Sequence, residues 1–93
     1  MIRSFRAKDT EKIWLGEPIK KFSIPLQEQA RRKLRMLNNA MSLEDLRIPP
    51  ANRLEALKGD RTGQHSIRIN RQWRVCFRWE DGHCFDVEIV DYH

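Results

Sequence analysis

The chain has 93 residues, 40% of them hydrophobic, with 18 Lys and Arg against 13 Asp and Glu. This length suits a single domain over residues 1–93 with one modest core, and no stretch approaches the ~18 apolar residues of a membrane span. A formal charge of +5 favours a polyanionic partner such as RNA, DNA or an acidic protein segment.

The opening residues, Met1 to Arg6, alternate apolar and polar side chains and do not read as a signal peptide, so cytoplasmic residence is the default expectation. Ile2 to Arg6 reads as a short first strand. Asp9 is the expected N-cap of a helix running to about Leu15, with Gly16 ending it. Pro25 suits the first turn of a second helix. Apolar residues then recur at Leu26, Ala30, Leu34, Leu37 and Met41, one face of a helix. Arg31, Arg32, Lys33 and Arg35 lie mostly off that stripe, as a solvated face or a contact surface for RNA phosphate or an acidic partner.

Ser42 to Leu46 suits one further turn, and Pro49-Pro50 stops helix and excludes a central strand. From Leu54 the period changes to two. Leu54 to Lys58, Ser66 to Ile69, Trp73 to Trp79 and Cys84 to Val90 read as four strands, with a two-glycine loop over residues 58–63. The expected hairpin between the last two has a three-residue loop, Glu80-Asp81-Gly82. It opposes Trp79 to His83, Phe77 to Phe85, Val75 to Val87 and Trp73 to Ile89. On the other face it opposes Arg78 to Cys84, Cys76 to Asp86 and Arg74 to Glu88. A two-residue Asp-Gly turn would set Phe77 against Asp86 and Val75 against Glu88, exchanging the faces. Cys76 and Cys84 are then diagonal, roughly 7–8 Å apart, and both are expected as free thiols. No metal-ligand spacing is evident.

The preceding hairpin, turning at Asn70-Arg71-Gln72, should pair Ile69 with Trp73 and Ile67 with Val75. Arg68 then opposes Arg74, an unfavourable juxtaposition that Glu88 would offset. Such an arginine cluster suits either a salt-bridged outer face or an RNA phosphate. The chain closes on Asp91-Tyr92-His93, an aspartate, a phenol and an imidazole directly beyond apolar strand residues. A positioned acid/base group is the functional reading of that tip.

These segments carry a resemblance. Asn52 to Arg61 with its Leu57-Lys58-Gly59-Asp60-Arg61 loop, Ser66 to Asn70, Gln72 to Trp79 and Val87 to His93 resemble the HigB-type toxins of the RelE/ParE superfamily. Ile2 to Phe5 and Thr10 to Ile13 resemble the same group, so the similarity runs over essentially the whole chain. It implies an α+β fold: a short N-terminal strand, two helices, then an antiparallel sheet. It also implies a toxin of a type II toxin-antitoxin system, a metal-independent endoribonuclease that cuts mRNA in the ribosomal A site and needs no cofactor. The implied partners are a helix-turn-helix (HigA-type) antitoxin, the ribosome and mRNA, with operator DNA reached only through the antitoxin and no membrane.

The positions matching the family's functional residues are Lys58, Arg74, Asp91, Tyr92 and His93. His93 is assigned to proton transfer, Tyr92 to base stacking or hydrogen bonding, Asp91 to orienting the end, and Lys58 and Arg74 to phosphate charge. Arg68, from the register, and Arg53, Arg61 and Arg78 are expected RNA contacts. Glu55 stands where some members carry histidine, and a carboxylate there serves as a base only with a raised pKa. His65 and His83 match no functional position and read as surface residues. The competing reading is a ParE-like toxin that acts on DNA gyrase without cutting RNA; a weaker third is a basic RNA-binding domain without toxicity. Fold alone does not separate them.

Overall fold

The computed structural model describes residues 1–92, and His93, the expected proton-transfer residue, lies outside the described residues. Helix α1 spans Lys8–Trp14. Asp9 is not its cap: the helix starts after extended Ala7, and Asp9 sits in the first turn, where it binds Lys21 Nζ at 3.1 Å. A carboxylate there is favourable to the helix dipole whether or not it caps. Helix α2 spans Ile24–Asn39, with Pro25 in its first turn and Ser23 Oγ accepting from the Leu26 amide at 3.2 Å. Leu26, Ala30, Leu34 and Leu37 are buried as the spacing requires, but Met41 is 85% exposed. The helix has ended at Asn39, and Ala40 turns into extended backbone, which takes Met41 off the stripe. One turn of 3-10 helix follows at Leu43–Arg47 and another at Pro50–Asn52.

The sheet has four antiparallel strands in sequential order: β1 Glu55–Ala56, β2 Gln64–Arg68, β3 Trp73–Glu80 and β4 His83–Asp91. The expected strand from Leu54 to Lys58 is cut to two residues. Arg53 is left-handed (φ 46°) on one side, and a third 3-10 turn, Gly59–Arg61, begins on the other. The expected N-terminal strand shrinks to two parallel bridges, Ile2 to Cys84 and Phe5 to Val87. The segment still covers the β4 edge with four backbone hydrogen bonds of 2.8–3.1 Å, and Thr10 Oγ1 accepts from the Ile89 amide at 3.0 Å further along. An edge so covered cannot template pairing with another chain.

The β2–β3 register is as expected: Ile67 faces Val75 and Arg68 faces Arg74. The β3–β4 register is not. The turn has two residues, Asp81 (φ 50°) and Gly82 (φ 81°), and Glu80 faces His83, Trp79 faces Cys84 and Arg78 faces Phe85. Two positive-φ residues are what a type I′ hairpin turn requires. A bulge then places Asp86 and Val87 of β4 against Phe77 alone, with Asp86 itself left-handed (φ 54°). Beyond it Cys76 faces Glu88, Val75 faces Ile89, Arg74 faces Val90 and Trp73 faces Asp91. The extra residue removes the objection to the two-residue turn. It switches the face of β4 once, so Cys84 before it and Val87 and Ile89 after it all join the core.

The core lies between the helices and one face of the sheet, and includes Ile13, Phe22, Leu34, Leu37, Ile67, Val75, Phe77 and Val87. Both cysteines are free, as expected, though for a different geometric reason. Cys84 is in the core, its Sγ 3.8 Å from the Leu37 carbonyl oxygen. Cys76 alternates with Val75 and Phe77 on β3, and so belongs to the opposite face. Burial pushes the Cys84 thiol up to about 12 and also raises Cys76.

Candidate functional site

The sheet face opposite the core carries the basic residues, and Arg74 is its anchor. Its guanidinium is buried beneath the terminal segment, where Nε donates to Ser66 Oγ at 2.7 Å and Nη2 donates to the Arg53 carbonyl at 2.6 Å. The Tyr92 ring covers it, 5.4 Å from the guanidinium carbon. Glu55 Oε1 is 3.7 Å from Nη2. These contacts follow from strand order: Ser66 lies on β2 beside Arg74, and Glu55 lies opposite Ser66 on β1. A buried charge held in this way is stable only because its donors are used. Among the described residues no hydrogen bond engages Arg74 Nη1.

The opposed pair Arg68 and Arg74 is therefore present, but Glu88 does not relieve it. Glu88 binds Arg61 at 2.8 Å and approaches Arg6 at 3.9 Å. Arg74 is compensated by Glu55 instead, while Arg68 turns its Nε to the Asn70 carbonyl at 3.0 Å. Arg61 also donates to Gln64 Oε1 at 3.0 Å, and its hydrogen bond to Glu88 raises its already high pKa. The Cys76 thiol, raised chiefly by burial, lies within the fields of Arg61, Glu88, Arg74 and Glu55. Those four charged groups thus surround one point on the sheet.

Lys58 is exposed directly before the Gly59–Arg61 turn, and among the described residues no hydrogen bond or ion pair engages its ammonium. Gly59 (φ 63°) provides the left-handed step that starts this tight turn. Asp91 faces Trp73 and accepts from Gln72 Nε2 at 3.1 Å, and the Tyr92 amide donates to the Gln72 carbonyl. The chain end is thereby tied to the β2–β3 turn. The structure brings Arg74, Tyr92, Glu55, Arg61 and the Arg53 carbonyl together, whereas Asp91, paired with Trp73 in line with Ile89, alternates to the other face of the sheet.

Arg78 stands apart. It is four residues along β3 from Arg74, roughly 13 Å. It is held by Asp86 at 2.8 Å and by Glu80, and packs over Phe85. Neither histidine expected at the surface is fully exposed. His65 stacks on Phe77 with ring centroids 6.2 Å apart, and His83 Nε2 is 3.4 Å from Arg3 Nη2. Sequence reasoning missed Ser66 and the Arg53 carbonyl, which fix Arg74. Ser66 was within reach of the correct β2–β3 register; the carbonyl had no side-chain signal.

The family profile for the HigB-like toxins, described as the RelE-like toxin of the type II toxin-antitoxin system HigB, matches residues 3–93. Toxin HigB-1 of Vibrio cholerae is 53% identical over 51 residues, 55% of this chain and 54% of that protein. The chain thus matches about half the length of that relative. Endoribonuclease HigB of Proteus vulgaris is 30% identical over the full length of both chains. Among solved structures, an E. coli YafQ mutant superposes with a TM-score of 0.69 at 13% identity, covering 98% of this chain and 91% of that one. A chain of the heterotetrameric YoeB-YefM toxin-antitoxin complex of Staphylococcus aureus gives 0.63 at 19% identity, covering 100% and 95%. At these identities the structures share the fold.

Proposed function

The chain belongs to the HigB-like family of RelE-like type II toxins, and on that premise we propose that it is an endoribonuclease that cuts mRNA held in the ribosomal A site. The observation that carries this reading is Arg74, fixed by Ser66 and the Arg53 carbonyl directly beneath the Tyr92 ring. An immobilised guanidinium under an aromatic ring suits a phosphate beside a stacked base.

RNA carries its own nucleophile. The 2′-oxygen attacks the adjacent phosphorus, the bond to the 5′-oxygen breaks, and the products are a 2′,3′-cyclic phosphate and a 5′-hydroxyl. The 2′-hydroxyl proton must leave and the departing 5′-oxygen must gain one. His93 is the residue proposed for proton transfer, oriented by Asp91. Tyr92 stacks on the base, and Arg74 and Lys58 stabilise the charge that builds on the phosphorane oxygens. Glu55 acts as the counter-ion of Arg74 rather than as a base. Arg61, Arg68 and Arg53 contribute to RNA binding. Arg78, neutralised by two carboxylates, contributes least.

The partners proposed are a helix-turn-helix antitoxin of the HigA type, the ribosome and mRNA, in the cytoplasm, with operator DNA reached only through the antitoxin. The toxin-antitoxin complex among the fold relatives supports an antitoxin partner. No helix among the described residues is long and apolar enough to cross a membrane. The relative named as an endoribonuclease favours RNA cutting over the gyrase-directed, ParE-like alternative. Purified protein should be incubated with naked mRNA and with programmed ribosomes. Cutting confined to ribosomes is expected, because a small site gains substrate positioning there; equal cutting of naked mRNA would contradict the ribosome-dependent mechanism.

A further inference from the structure

Three segments distant in sequence close around a cleft of about 400 Å³ beside Arg74. Lys33 comes from α2, Arg53 from the end of the Pro50–Asn52 turn, and Arg68, Asn70 and Arg71 from the end of β2 and the turn that follows. Four of its seven lining residues are cationic and none is acidic. Arg61, Arg74 and Arg78 each have a carboxylate partner. Among the described residues, Lys33, Arg53, Arg68 and Arg71 have none within ion-pair distance. The cleft is a place where the fold concentrates positive charge and leaves it uncompensated.

Its walls are preformed. Lys33 Nζ donates to Oδ1 of fully buried Asn52 at 2.6 Å, and Asn52 Nδ2 donates to the Leu46 carbonyl at 3.2 Å. Asn70 Oδ1 accepts from the amides of Gln72 and Trp73 at 2.8 and 2.9 Å, and its own carbonyl accepts from Arg68 Nε. Burial and the neighbouring Arg32 lower the Lys33 pKa, the sign of a cation short of counter-charge. The cleft is joined to the site, since the Arg53 backbone holds Arg74 and Arg68 faces Arg74 across the strands.

We propose that this cleft is a second phosphate site, which holds one or two backbone phosphates of an RNA strand outside the nucleotide that is cut. The inference rests on the RNA-cutting reading above and adds Lys33 and Arg71 to the binding surface. RNA fits better than an acidic peptide segment. The cleft adjoins Arg74 through the Arg53 backbone and Arg68, and its only apolar lining residues are Ala51 and Ile69, too little to anchor peptide side chains.

The test is binding of a short labelled single-stranded RNA as a function of salt. Single-strand affinity falls with salt at about 0.7 log units per log unit for each neutralised phosphate. Arg71→Gln should make the slope shallower by about 0.7 and Lys33→Gln/Arg71→Gln by about 1.4, with affinity lost equally across RNA sequences. Arg71 is exposed on the turn, so the single variant gives a result even if loss of the Lys33–Asn52 contact unfolds the double one. Wild-type slope and affinity in the Arg71→Gln protein would overturn the proposal. Unchanged RNA binding with lost poly-glutamate binding would overturn it in favour of an acidic protein partner. Wild-type protein that shows the full slope yet cuts no mRNA on ribosomes would contradict the nuclease reading and leave the cleft standing.

Discussion

The Tyr92 ring lies over the guanidinium of Arg74, 5.4 Å from its central carbon, while Ser66, Arg53 and Glu55 surround its Nε and Nη2. Stacking of this kind depends on the ring and not on the hydroxyl. Tyr92→Phe should therefore retain most ribosome-dependent cleavage, while Tyr92→Ala should lose it, because a base-aromatic stack is worth about 1–3 kcal/mol. Cleavage rates on programmed ribosomes decide this. Equal loss in both variants would give the phenol a role in proton transfer.

Ser66 is fully buried and holds Arg74 from within the sheet. Ser66→Ala removes the acceptor of a buried charged donor, a change that typically costs about 1.5–3 kcal/mol. The variant should melt lower and turn over more slowly with KM little changed. Ser66→Thr, which keeps the hydroxyl, should restore turnover. Loss of stability with an unchanged turnover number would limit Ser66 to a structural role.

His93 follows the last core residue, Ile89, by four positions. His93→Ala should lower the cleavage rate by about 10²–10⁴, the usual loss for a proton-transfer group, with a melting temperature within about a degree or two of wild type. Growth arrest and melting on the same protein check it. A fully toxic His93→Ala protein would move proton transfer elsewhere.

The bulge makes Asp86 left-handed, a conformation that Asn tolerates and a β-branched residue does not. Asp86→Asn should cost little beyond the Arg78 ion pair. Asp86→Val should cost about 1–2 kcal/mol more. Urea denaturation measures both, and equal stability would argue against the bulged register.

Cys84 gives an alkaline signature. Burial disfavours the thiolate and pushes the thiol up to about 12, above its ordinary value of 9.0. The thiol's contribution is therefore fully present below about pH 9 and is lost as pH rises towards 12. Cys84→Ala should show a shallower fall in melting temperature over that window than wild type. Identical pH profiles would place Cys84 outside the core.

The helical stripe and the β2–β3 register were legible because apolar spacing and an Asn-containing turn fix them locally. The opposition of Arg68 to Arg74 followed, and with it the centre of the candidate site. The β3–β4 register was not legible. A non-glycine residue at positive φ within a strand leaves no composition signal, and a straight strand fitted the same pattern with a longer loop. Charge partners change with it: a straight strand opposes Glu88 to Arg74, whereas the bulge sets it against Cys76 and within reach of Arg61. The neutralisation of Arg78 was hidden for the same reason, since Asp86 reaches it from the bulge.

The central claim, RNA cutting by way of the 2′-hydroxyl, is tested most directly by inducing the chain alone in cells and mapping both ends of the broken mRNAs. New 5′-hydroxyl ends within A-site codons, matched by 2′,3′-cyclic phosphate 3′ ends and absent with His93→Ala, are the result expected. Intact mRNA together with arrested DNA supercoiling by gyrase would contradict it.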